Sequence, residues 1–357
     1  MYKFLLIEDS KDDVEACLDT IERMNTQNSE MRIEIVVSNT FRDALKELEK
    51  EYNGVIVDIN LDEGNSGNFI IRTIIENYRL PVAVMTGTPD TELEKDSPIK
   101  IYKKGEASYE QIVNNLIKSC ATGLFNVIGG KGIIQKVMNQ VFWNNLYPQI
   151  QLWENLYEQK IDVEKILLRY SIAHIQELID DEVPNYITEE MYIKPPINDK
   201  LRTGSIIKSK KDGMYCVVLS PPCDLVLRDG IFKTDRIMLC EIDSEETVNQ
   251  EITQGVKQAK MKKVLLPAIR NNYKEYYHWL PSNSLFKGGY INFRSILTYT
   301  PVQLKEEFCD PELRIQEYFI KSILNRFSSY YARQGQPDFN FDAEAEIIIH
   351  KLQNTAN

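Results

Sequence analysis

Four short apolar runs in the first third of the chain end in residues that could do chemistry. Ile7 is followed by Glu8 and Asp9, Val57 by Asp58, Met85 by Thr86, and Tyr102 by Lys103 and Lys104. Carboxylates brought together repel, and a hard divalent cation with oxygen ligands relieves that repulsion. An aspartate beside such a cation can attack a phosphoryl group and form an aspartyl phosphate. The cation and a lysine neutralise the phosphoryl oxygens, and a threonine hydroxyl can donate to one of them. Gly87, directly after Thr86, lets the backbone approach closely. Taken alone, Asp58 reads as a turn cap. The set of five positions argues against that plain reading.

These residues share a site only if the runs are neighbouring parallel strands. The apolar runs Lys3–Ile7, Ile33–Val37, Val55–Val57, Val82–Met85 and Ile99–Tyr102 alternate with helical patterns at Asp12–Arg23, Thr40–Tyr52, Asn68–Asn77 and Tyr109–Lys118. Phe41, Leu45, Leu48 and Tyr52 fall on one helix face. Near-continuous apolar strands alternating with helices predict a parallel sheet covered on both faces. The expected fold is therefore an α/β flavodoxin-like (β/α)5 domain over residues 1–122. In such sheets ligands sit beyond the carboxyl ends of the strands, which is where these residues fall.

The acid pair, Asp58, Thr86 and Lys103, each at a strand end and in that order, resemble the receiver domain of bacterial two-component response regulators. The resemblance covers about one third of the chain. It implies Mg²⁺ held by Glu8, Asp9, Asp58 and the backbone carbonyl of Asn60. It implies Asp58 as phosphoacceptor from a histidine kinase, with Thr86 and Lys103 on the phosphoryl group. The sequence departs from the usual receiver pattern. Asp62 stands where proline is usual, and Gly67 comes one position late. Lys104 replaces the proline after the lysine, leaving open which lysine is used. The aromatic switch position falls on Lys100 or Ile101, with Tyr102 out of phase, and the segment between Thr86 and Lys103 is short. The competing reading is a degenerate receiver that binds partners without phosphorylation. Its acid pair would be the first thing to decay, and both acids are present.

The rest of the chain changes texture. Residues 123–198 form a helical connecting segment interrupted by Pro148, and "YIKPPINDKLRTG" marks a boundary. Residues 199–357 predict an α+β domain with a small antiparallel or SH3-like sheet, with turns at Asp212-Gly213 and Asp229-Gly230. Its texture is vaguely similar to the SH3-like barrels of toxin endoribonucleases. "IGGKG" (Ile128–Gly132) is too short for a nucleotide loop and reads as a turn between helices. "LSPPCDLV" (Leu219–Val226) raises an enzymatic alternative, a receiver-gated hydrolase or nuclease with Cys223 as nucleophile and His278 as base. Its plain counterpart is a packed cysteine after a proline-stiffened turn. "RQGQPDF" (Arg333–Phe339) is either a turn or an exposed binding motif.

Composition sets the outer bounds. The net charge of −11 disfavours a nonspecific nucleic-acid binder, and six scattered cysteines with three distant histidines lack zinc-site spacing. Six free thiols suit a reducing compartment. The N-terminus lacks the pattern of a signal peptide, and no apolar run is long enough to span a membrane. The expectation is a cytoplasmic signalling protein whose only enzymatic chemistry is that of its phosphoacceptor. With no DNA-binding or catalytic output motif, its output would be contact with an effector protein, with a homodimer left open. A receiver without a conventional output also looks like the phosphate-sink proteins of bacterial antiphage two-component-like systems.

Overall fold

The computed structural model describes the chain except for residues 29, 62–65, 88–96, 131, 181–184, 199, 229, 334–337 and 356–357. Two compact units result, Met1–Val183 and Pro184–Asn357. The helical segment expected at 123–198 is divided between them, most of it grouping with the N-terminal sheet.

The first unit carries strands β1 (Tyr2–Ile7), β2 (Ile33–Ser38), β3 (Gly54–Val57), β4 (Val82–Thr86) and β5 (Lys100–Lys103). They pair in parallel in the order β2-β1-β3-β4-β5, the flavodoxin-like arrangement. Helices α1 (Lys11–Gln27), α2 (Phe41–Glu47), α3 (Ser66–Asn77) and α4 (Tyr109–Ala121) cover it. Strand alternation divides the core into two layers. Phe4, Leu6, Ile56, Ala83 and Met85 pack with Cys17 and Ile21 of α1 and with Ile112 and Leu116 of α4. Leu5, Ile7, Val55, Val57 and Val84 pack with Ala44 of α2 and Ile70 and Ile74 of α3. Ser10, Thr40 and Ser108 cap α1, α2 and α4 by accepting backbone N–H bonds from Asp13, Asp43 and Gln111. Helix α2 stops at Glu47, short of the expected Tyr52. The expected short fourth crossover helix, like Asp62, lies outside the described residues.

Gly67 opens α3 directly against the end of β3. A Cβ there would lie 2.2 Å from the carbonyl oxygen of Asp58 and 2.5 Å from Ile59 Cα. Its N–H donates to the Ile59 carbonyl at 3.1 Å. The glycine is thus required by close backbone approach.

Helices α5 (Leu124–Ile128), α6 (Ile133–Val141), α7 (Ile150–Glu158) and α8 (Val163–Asp180) complete the unit. Val137 and Val141 of α6, Leu146 between α6 and α7, and Trp153 of α7 form a small core against which Ile166 and Ile175 of α8 pack. A π-helical stretch, Phe142–Leu146, and a 3-10 turn, Tyr147–Gln149, that holds Pro148 separate α6 from α7, where the sequence pattern placed the interruption. Gly129 and Gly132 serve the turn between α5 and α6; a Cβ on either would strike the preceding helix's carbonyls, at 2.3 and 2.6 Å.

The second unit is built on β6 (Tyr192–Ile193), β7 (Ser205–Lys208), β8 (Tyr215–Val218), β11 (Ile237–Ser244), β12 (Tyr277–Leu280), β13 (Gly289–Tyr299) and β14 (Leu313–Ile315). These form a seven-stranded sheet in the order β12-β13-β11-β8-β7-β14-β6, antiparallel throughout. A ribbon of β9 (Leu227–Arg228) and β10 (Ile231–Phe232) stands apart from it. Gly213 makes the β7–β8 turn at φ +75°. Asp229 of the second expected turn lies outside the described residues. Helices α9 (Glu245–Thr253), α10 (Met261–Ile269), α11 (Pro301–Glu307), α12 (Glu317–Tyr331) and α13 (Phe341–Thr355) complete the unit. Ile320 and Ile323 of α12 pack on the sheet face that holds Val217, Cys240, Ile291 and Phe293. Among the described residues no helix is long and apolar enough to cross a membrane.

Two predictions follow from packing. Gly67→Ala forces backbone apart and is expected to cost roughly 1–3 kcal/mol, read as a lower urea midpoint of the N-terminal unit; an unchanged midpoint contradicts the packing. His278 is buried on β12, its Nδ1 without a partner. Burial, and secondarily the charge of Arg326, lowers its pKa to about 3. Between the ordinary histidine value and that one, the unfolded chain binds the extra proton. Stability therefore falls as pH drops from about 6.5 toward 3, by up to about 1.4 kcal/mol per pH unit. His278→Leu should flatten this acid slope in urea titrations at pH 7 and pH 5; equal slopes would remove His278 as the cause.

Candidate functional site

Glu8, Asp9, Asp58 and Thr86 lie at the carboxyl ends of β1, β3 and β4, which are adjacent in the sheet. The pairing of Ile7 with Val57 and of Val57 with Val84 sets their relative heights. Carboxylate oxygens of Glu8, Asp9 and Asp58 all lie within 4.8 Å of one another. Glu8, Asp58 and Thr86 are buried, at 1%, 5% and 1% exposure, whereas Asp9 is half-buried. The acids are held by backbone donors. Ser10 N–H donates to Glu8 Oε1 at 3.1 Å, and Asn60 N–H donates to Asp58 Oδ1 at 3.3 Å.

Lys104, not Lys103, completes the cluster. Its Nζ donates to Glu8 Oε2 at 2.7 Å and to Asp13 Oδ2 and Asp58 Oδ2, each at 2.8 Å. Lys103 is brought elsewhere: it is exposed and pairs with Glu106 at 2.8 Å. Strand phase explains the correction. Tyr102 packs into the layer beneath α1 and α4, its hydroxyl accepting from Asn115 Nδ2 at 2.9 Å. Alternation then turns Lys103 to the opposite face and Lys104 back to the α1 side. Lys104 N–H bonds the Thr86 carbonyl at 2.9 Å, so its height is fixed by the sheet. Of the positions weighed as an aromatic switch, Ile101 is exposed and Tyr102 points inward.

Asp13 is a site residue that the strand-end reading missed, because it sits in the first turn of α1. The signal was present in the acidic stretch "EDSKDD" followed by a helical pattern.

Electrostatics follow from this packing. Burial pushes the Glu8 carboxyl up to about 7, with the Asp58 charge adding to the rise and Lys104 only partly offsetting it. Burial works against the Lys104 charge, but hydrogen bonds to Asp13, Asp58 and Glu8 outweigh it and hold the ammonium above its ordinary pKa. An all-oxygen donor set with more negative charge than one ammonium offsets is suited to a hard divalent cation. Mg²⁺ therefore fits the residues present, with Glu8, Asp9 and Asp58 as its carboxylate ligands. Among the described residues no other group of acids, histidines and cysteines has metal-ligand spacing.

The alternative pair is not brought together. Cys223 is exposed, and its thiol's partner is the neighbouring Asp224 carboxylate at 3.6 Å. His278 is buried on β12, three strand positions from β8, after which Cys223 follows; that is roughly 14 Å at ordinary strand spacing. A buried imidazole that resists protonation makes a poor base for a distant exposed thiol.

The N-terminal third resembles solved receiver domains. A CheY-like receiver domain from Methylobacillus flagellatus is 15% identical, covers 33% of this chain and 98% of its own, and gives a TM-score of 0.27. For the response regulator PhyR from Brucella abortus the identity is 21%, the coverage 34% of this chain and 51% of that one, and the TM-score 0.29. A CheY-like receiver domain protein from Methanospirillum hungatei is 13% identical over 34% of this chain and 95% of its own, with a TM-score of 0.29. No protein-family model matches the sequence, and no curated protein matches it either. The flavodoxin-like fold of residues 1 to about 120 is given by their own strand order, and these three structures align with about one third of the chain.

Proposed function

We propose that the N-terminal domain is a phosphoacceptor receiver in which Asp58 takes a phosphoryl group from a phosphohistidine of a histidine kinase. The observation that carries this reading is the convergence of Glu8, Asp9 and Asp58 with Lys104 at the carboxyl edge of the sheet. An Asp58 carboxylate oxygen would form the new P–O bond as the P–N bond breaks, and the electron pair returns to the imidazole, which takes up a proton. Mg²⁺, when bound, supplies charge neutralisation to the phosphoryl oxygens. Glu8, Asp9, Asp58 and the Asn60 carbonyl would hold it. Lys104 already bonds the Asp58 oxygen and would neutralise the incoming oxygens, with Thr86 donating its hydroxyl to one of them.

The added charge would then shift the equilibrium between two arrangements of the cluster. Output by contact with an effector protein is the reading favoured here, since Cys223 and His278, the pair on which the enzymatic alternative rests, are not brought together. A place in a cytoplasmic antiphage phosphate-sink system is the finer reading, and it rests on the resemblance drawn from sequence.

Incubating the protein with a small phosphodonor and Mg²⁺ should give a phosphoryl adduct that mass spectrometry locates on Asp58. The adduct should be absent from Asp58→Asn and in the presence of EDTA. Lys104→Ala should slow its formation by about ten- to a hundredfold, the loss expected of a hydrogen bond between charged groups, while Lys103→Ala should stay near the parent rate. A missing adduct even with the cognate kinase would end the phosphoacceptor reading. Equal rates for the two lysine variants would end the role given to Lys104.

A further inference from the structure

The second unit contains a cavity of about 650 Å³ that no part of the receiver chemistry uses. Its size is in the range of small-molecule sites. One wall comes from the "LSPPCDLV" stretch that stood out in the sequence, through Pro222, Leu225 and Val226. Facing it are Arg202 from the approach to β7, Arg314 of β14, and Ile320 and Leu324 of α12. The wall is built rather than incidental. Thr203 Oγ1 donates to the Ser220 carbonyl at 2.6 Å, Ser220 Oγ accepts the Met238 N–H at 2.7 Å, and Asp224 N–H closes a turn on the Pro221 carbonyl at 3.0 Å. Gly204, at φ +84°, turns the chain from Arg202 into β7, and a Cβ there would press on Ile320 at 3.2 Å.

Charge distinguishes this cavity from an ordinary apolar cleft. Arg314 pairs in the sheet with Ser205, and Ser205 bonds Arg202 both ways, Oγ accepting the Arg202 N–H and N–H donating to its carbonyl. The two arginines therefore project from neighbouring backbone. Among the described residues neither guanidinium has a hydrogen-bond or ion-pair partner, and Lys200 beside them has no ion pair. The acid lining the cavity, Glu317, is paired with Lys321 at 2.8 Å. Arg314 is held below the ordinary guanidinium value, first by burial and then by the Arg202 charge, with the Glu317 charge partly offsetting them. Arg314 is half-buried and Arg202 exposed, so their repulsion, only partly offset by Glu317, is relieved when an anion joins the two guanidiniums.

We propose that this cavity binds a small organic phosphate, with Arg202 and Arg314 on the phosphate and Leu201, Leu225, Phe232 and Leu324 around its apolar or aromatic body. A phosphate dianion matches two guanidiniums in charge and in the fork geometry of their N–H groups, whereas a carboxylate leaves one uncompensated. The volume exceeds what a bare anion fills, and the apolar wall gives the remainder of the ligand a place to bury surface.

Calorimetric titration of the full chain, in EDTA so that the Asp58 site takes no part through a metal, tests this with inorganic phosphate, phenyl phosphate, AMP and adenosine. Saturable binding of AMP or phenyl phosphate, tighter than that of inorganic phosphate, is expected. Adenosine should bind more weakly than AMP. Arg314→Gln should weaken the organic phosphate by about tenfold or more, and so should the exposed Arg202→Gln, which spares the fold. Asp58→Asn should leave the affinity unchanged. The proposal is overturned if neither organic phosphate binds at millimolar concentration, if inorganic phosphate binds as tightly, if adenosine matches AMP, or if both arginine variants keep full affinity.

Discussion

Burying carboxylates at the end of an apolar sheet is costly unless a cation is supplied with them. Glu8 and Asp58 are both buried, and Lys104 is the cation the chain itself provides. Much of the N-terminal unit can be understood as the means of placing that ammonium. β5 is an exposed edge strand with little apolar burial of its own, so its position depends on the pairing of Thr86 with Lys103 and on the bond from Lys104 N–H to Thr86. Tyr102 sets the phase by packing inward. Asp13 extends the cluster to α1, so the site is fastened to a helix as well as to the sheet. The compensation is incomplete, since Glu8 still has its carboxyl raised toward neutrality. That residual negative charge would suit the cluster to a divalent cation rather than to a closed ion-pair network.

The parallel sheet was legible because its strands are short continuous apolar runs, and burial on both faces demands that composition. Strand ends were equally legible, since Glu8, Asp58 and Thr86 each interrupt such a run. The choice between Lys103 and Lys104 stayed open for a specific reason. Residue type does not say which of two adjacent lysines faces the site; strand phase does, and that phase is set by the burial of Tyr102 and its bond to Asn115. Asp13 escaped because a helix first turn is not a strand end. Gly67 looked like a displaced motif position, yet its role is contact with the backbone after β3, a property that depends on tertiary approach alone.

In the second unit the turns and the antiparallel character of the sheet were readable, and its strand order was not. Gly213 and Gly230 have the positive φ that their turns require. The order β12-β13-β11-β8-β7-β14-β6 depends on pairings between distant segments, such as β14 with β7, which local patterns do not carry. The cysteine in "LSPPCDLV" drew notice as a nucleophile, but the surrounding residues matter more than the thiol. Pro222 and Leu225 shape a cavity wall, and the arginines opposite come from segments 20 residues upstream and about 90 downstream.

Lys104 also bears on how a phosphorylated state would differ from the resting one. In the resting structure its three hydrogen bonds go to Glu8, Asp13 and Asp58, and an ammonium has three protons to donate. A phosphoryl oxygen on Asp58 would need one of those protons, so a bond to an existing partner must lengthen or break. Glu8 is the most buried of the three and the least able to lose its cation, whereas Asp13 is partly exposed and can turn to water. Where Lys104 keeps its bond to Asp58 as well, the bond that would yield at least cost is the one that fastens β5 to α1. The change would then be felt on the α1 side of the domain, not at the strand-five aromatic position that the sequence lacks.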